Sequence, residues 1–331
     1  MILNAYSILY LFSTIIIGGL SLLLVGTSLR AYLSLRKRDN IPEHLQERGS
    51  LLLHIAHVIL LAEALTLPLF YLTLQSFVPY IQGAMCIFGV TQAQGTLSGI
   101  VQVLKVFLFF LIGWWLLLDR LDNKTEHAPL SRKKTLFLFL VSTFIVLDSA
   151  LQVYYIMGFN VEVDVACCTT VFDLGQRKTS IISSSLLGES YKSGLITLYY
   201  AGNLFLILLL WFLYRKRPGT RGVAVLLLCT TLLSVVNAVV TVTAYFEIIA
   251  PAVMNIPEHH CIYCMWQYSP LSVLFTFLFL MGTFTPPWAL LLYITGRHRE
   301  TNQHLPYFIK RLTLSGIVFI ATALVLQTLS M

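Results

Sequence analysis

Charge is scarce in this sequence: 11% of its 331 residues are Asp, Glu, Lys or Arg, where a soluble globular domain carries roughly a quarter. No polar stretch is long enough to form a water-soluble domain, and no nucleotide-binding loop or serine-hydrolase motif is present, which argues against ATP hydrolysis by this chain. The net charge of +7 comes without a concentrated basic patch, so a nucleic-acid partner is not expected.

Apolar length is what the chain has in abundance, at 57% hydrophobic residues. A hydrocarbon core about 30 Å thick takes roughly 20 apolar residues per helix. Runs of that length predict eight segments near 6–34, 50–77, 97–118, 136–158, 195–214, 222–248, 270–295 and 312–330. The expectation is an all-α integral membrane protein, a bundle of about eight transmembrane helices forming one polytopic domain over 1–331 in contact with the lipid bilayer.

Basic residues cluster in alternate connections. Those after the first, third, fifth and seventh segments hold 17 of the 22, among them Arg36, Lys37, Arg38, Arg132, Lys133, Lys134, Arg215 and Arg297. The positive-inside rule then places both termini outside the cytoplasm, in a cytoplasmic (inner) membrane, with the opposite loops facing the periplasm or exterior. The first segment lacks a basic stretch ahead of it and is read as a retained helix, not a cleaved signal.

Three of those outer loops carry cysteine: Met85-Cys86-Ile87-Phe88, Ala166-Cys167-Cys168-Thr169 and His259-His260-Cys261-Ile262-Tyr263-Cys264-Met265. The first and third share Cys-Ile-aromatic-x-x-x-Gln, which suggests three repeated helical hairpins whose loops converge. Thiolate and thioether sulfur select Cu(I), and mixed Cys/His sites also suit zinc. The candidate metal ligands are therefore Cys86, Cys167, Cys168, His259, His260, Cys261, Cys264 and Met265, binding or handing on a soft metal ion, with copper favoured over zinc. The loop acids Glu162, Asp164, Asp173 and Glu258 would draw cations toward them.

Two other readings stay open. In the first, Cys261 and Cys264 are a dithiol redox pair of a thiol-disulfide oxidoreductase that passes electrons to a membrane quinone. That layout is similar to membrane thiol oxidases of the vitamin K epoxide reductase type, which are smaller bundles and supply no residue role here. In the second, disulfide-fastened loops of a non-catalytic subunit dock an exported metal or thiol protein, although five outer cysteines cannot all pair within one chain. Haem is not expected, because His54 and His57 share one segment and no facing segment offers an axial histidine.

Glu63, Lys105 and Asp148 fall inside apolar segments, where a charge costs several kcal/mol and marks a candidate function. Helical rise puts them about 20, 10 and 15 Å from the outer ends of their segments, within reach of one lysine side chain. Gln152, Asn203 and Asn237 extend a polar strip, Trp114 and Trp115 read as interfacial anchors, and Cys229 reads as a buried packing residue.

Overall fold

The computed structural model describes residues 2–37, 43–159, 163–166, 168–174, 177–216 and 222–331. Among them there is no strand, and eight helices are long and apolar enough to cross a membrane. The long helices are α1 (Ala5–Lys37), α2 (Glu43–Phe77), α4 (Gly95–Asp122), α5 (Ser131–Met157), α8 (Tyr191–Arg215), α9 (Val223–Ala244), α12 (Pro270–Thr295) and α13 (Leu305–Ser330). Between them lie the short helices α3 (Ile87–Gln92), α6 (Cys168–Phe172), α7 (Lys178–Leu187), α10 (Ala250–Met254) and α11 (Ile262–Tyr268). A turn of π-helix, Tyr245–Ile249, joins α9 to α10.

The chain divides into two compact units, Met1–Val165 with His298–Thr301, and Ala166–Arg297 with Asn302–Met331. In the first, α1 packs on α2 and α5, and α4 packs on the same two helices. Its apolar core includes Ile17, Leu60, Leu108, Ile112, Leu138 and Ile145. In the second, α8 packs on α9 and α13, and α12 packs on the same two. Each unit is thus a ring of four helices with the same order of neighbours.

Helices in a bilayer gain little from hydrophobic exclusion and associate through close backbone approach and hydrogen bonds. Small residues mark both rings. A Cβ on Gly18 of α1 would stand 2.8 Å from Ser149 Cβ of α5, and one on Gly282 of α12 would meet Ile320 of α13.

The α5 and α13 helices begin at Ser131 and Leu305, earlier than the apolar runs at 136 and 312 suggest. For α5 the reason is Lys134, which reads as a flanking cation but lies buried, with Nζ 2.9 Å from both Asp119 Oδ1 and Asp122 Oδ2. Asp119 also lies 3.0 Å from His57 Nε2, and Asp122 accepts a hydrogen bond from the Leu130 N–H at 2.8 Å. Trp115 is wholly buried and donates to the Lys134 carbonyl at 3.0 Å, so it is a core residue and not an interfacial anchor. Cys229 lies exposed on α9, contrary to the packing role its apolar neighbours suggested.

Candidate metal centre

The second unit gathers its sulfur through two short helices. Cys261 occupies the extended residue ahead of α11, and Cys264 follows three residues on, a spacing that puts both side chains on one face of the first turn. Cys168 opens α6. The sulfurs of Cys168, Cys261 and Cys264 lie within 4.8 Å of one another, and that of Cys168 is 3.5 Å from that of Cys264. Cys168 and Cys261 are buried and Cys264 is half-buried. Among the described residues no disulfide is formed.

His259 joins this group. Its Nε2 lies 3.8 Å from Cys168 Sγ, and its Nδ1 lies 2.8 Å from Asp173 Oδ1. A carboxylate behind an imidazole fixes the ring orientation. Asp173 attracts notice in the sequence only as a loop acid; its partner is separated from it by 86 positions, and no local pattern reveals the pairing.

The segment bearing Cys168 and Asp173 is anchored at two points. Phe172 stacks on Phe246 at 5.3 Å between ring centroids. Further along, Arg177 donates to Glu247 Oε2 at 2.8 Å, as does the Tyr191 hydroxyl at 2.8 Å, while Thr179 donates to Oε1. Glu247 sits in the π-turn and escapes a reading for intramembrane charge because it lies near the end of an apolar run.

The remaining candidates are held in other ways. His260 is buried, and its Nδ1 lies 2.9 Å from the Phe246 carbonyl. That carbonyl is available because the residue five positions later is Pro251, which has no N–H, while the Ala250 N–H bonds to Tyr245. Burial is the largest influence on His260 and holds its pKa below the usual imidazole value, with the Phe246 bond opposing. Met265 is wholly buried in the apolar core with Met254 and Phe275. Asp164 and Glu258 are exposed, whereas Cys167 and Glu162 lie outside the described residues.

In the first unit Cys86 is wholly buried and occupies the extended residue ahead of α3. It stands to α3 as Cys261 stands to α11, which is the structural content of the shared Cys-Ile-aromatic-x-x-x-Gln. The same unit holds the three intramembrane charges together: Lys105 Nζ lies 2.7 Å from Glu63 Oε1 and 2.7 Å from Asp148 Oδ2.

Comparison of the chain with protein-family models, curated proteins and solved structures finds no match.

Proposed function

We propose that this membrane protein binds a soft metal ion, copper(I) before zinc, through Cys168, Cys261 and Cys264, with His259 beside them. The convergence of three sulfurs from two short helices, far apart in sequence, carries this reading. A metal–sulfur bond of about 2.3 Å sets sulfurs about 3.8 Å apart around a tetrahedral ion and about 4.0 Å apart around a trigonal one. Sulfurs within 4.8 Å of each other are compatible with either arrangement. A donor set dominated by thiolate favours copper(I), and a mixed set with imidazole also accommodates zinc.

Half-burial of Cys264 gives an incoming thiol or thioether a point of attack, which suits a protein that hands its ion to an exported partner. The distribution of basic residues supports an inner membrane with these loops on the periplasmic or exterior side.

The test is metal content of detergent-purified protein loaded anaerobically with copper(I) or with zinc. One equivalent per chain is expected, lost when Cys168, Cys261 and Cys264 are together changed to serine and kept in Cys229→Ser. Equal metal retention by wild type and the triple serine variant would overturn the proposal.

The 3.5 Å separation of the Cys168 and Cys264 sulfurs favours one second reading, a thiol-disulfide oxidoreductase. Joining the two thiols releases two electrons and two protons, and a membrane quinone is the acceptor that could take both. Reversible interconversion of two thiols with a Cys168–Cys264 disulfide, in protein that binds no metal, would replace the first reading with this one.

A further inference from the structure

We propose that Glu63 is a proton-binding site within the bilayer, so that the first unit takes up and releases a proton independently of any metal at the cysteines. The groups around it come from all four helices of that unit: Tyr10 on α1, Glu63 and Thr66 on α2, Lys105 on α4 and Asp148 on α5. Lys105 donates to Glu63 Oε1 and to Thr66 Oγ1, each at 2.7 Å, and pairs with Asp148 at 2.7 Å. Its ammonium also lies 5.9 Å from the centre of the Tyr10 ring. None of Glu63, Lys105 and Asp148 is more than 3% exposed.

Two carboxyl groups and one ammonium leave a net negative charge when all are ionised. An uncompensated charge in a low-dielectric interior is far costlier than a neutral cluster, so the group is balanced by one added proton. Asp148 is fully enclosed and receives a hydrogen bond from Gln152 Nε2 at 3.3 Å, as Glu63 Oε1 does from Thr66 Oγ1 at 3.2 Å. Glu63 instead lines a crevice along α2 and α4, with Leu67, Leu108 and Ile112 beside it. The crevice has no room for a water molecule, and Asp148 does not line it. Tyr10, wholly buried, adds a polar group on the α1 side.

The fold does not require this cluster. The second unit closes the same ring of helices around neutral groups, with Asn237 donating to Asn203 at 2.9 Å and Tyr199 to Gln327. Glu247 in that unit has a guanidinium partner, one cation for one carboxylate, and serves as an internal comparison.

Dicyclohexylcarbodiimide, a lipophilic reagent that attacks protonated carboxyl groups, provides the test. Purified full-length protein in lipid nanodiscs would be treated across about pH 5.5 to 8.5 and the adduct located by peptide mass spectrometry. Glu63 should be modified and Glu247 not, with the labelling rate falling toward tenfold per pH unit once most of the group has lost its proton. Glu63→Gln should abolish the adduct, and Glu63→Asp, a conservative variant, should retain a pH-dependent one. Adduct at Asp148 in place of Glu63, labelling independent of pH, or no adduct at Glu63 in folded wild-type protein would each overturn the proposal.

Discussion

Asp173 lies 2.8 Å from Nδ1 of His259, and this contact turns Nε2 of the ring toward Cys168 Sγ. Asp173→Ala should therefore weaken metal binding by about 10- to 100-fold, the range found for carboxylates behind ligating histidines. The metal-free thermal midpoint should change little, because Asp173 is partly exposed. Competition with a chelator of known affinity measures the first quantity, and unchanged affinity would remove Asp173 and His259 from the site.

Gly18 and Gly19 are adjacent on α1 but should respond in opposite ways to alanine. A Cβ on Gly18 would stand 2.8 Å from Ser149 Cβ, whereas one on Gly19 meets nothing within 4 Å. Gly18→Ala should destabilise the first unit by about 1–3 kcal/mol, the usual cost of overpacking. Gly19→Ala should be neutral or stabilising by up to about 1 kcal/mol through helix propensity. Thermal unfolding in one detergent compares them, and equal shifts would contradict the close α1–α5 approach.

Lys105→Met leaves two buried carboxyl groups without their cation and should cost about 3–5 kcal/mol. Adding Asp148→Leu should recover part of that loss, since it removes one of the stranded groups. The double-mutant cycle would then show a coupling well outside simple additivity. Strictly additive losses would mean that the ion pair contributes no coupling energy.

Orientation is testable through Cys264, the half-buried member of the sulfur group. With Cys229 changed to serine, a membrane-impermeant maleimide should reach Cys264 from the exterior of right-side-out vesicles, and bound metal should slow that reaction. Modification only in inside-out vesicles would overturn the proposed topology.

The long helices are legible in the sequence because apolar length is a local property. The sulfur group is legible in part, since Cys261 and Cys264 are three residues apart and repeat the Cys86 pattern. What escapes is pairing across distance. Lys134 and Arg177 look like solvated loop cations, yet one is buried against Asp119 and Asp122 and the other against Glu247. A charge at the end of an apolar run has the same sequence appearance whether it faces water or a partner on the next helix. The internal likeness is also differently framed: the sequence points to repeated hairpins, whereas the structure repeats the neighbour order of a four-helix ring.

Pro251 has a consequence for the chemical form of His260. A carbonyl can only accept, so the Nδ1 that meets the Phe246 oxygen must carry the ring hydrogen, leaving Nε2 as the bare nitrogen. Burial favours the neutral ring and so preserves that single tautomer. The choice between two isomers of an imidazole is thus made by a missing main-chain hydrogen at residue 251, in a part of the sequence that carries no chemistry of its own.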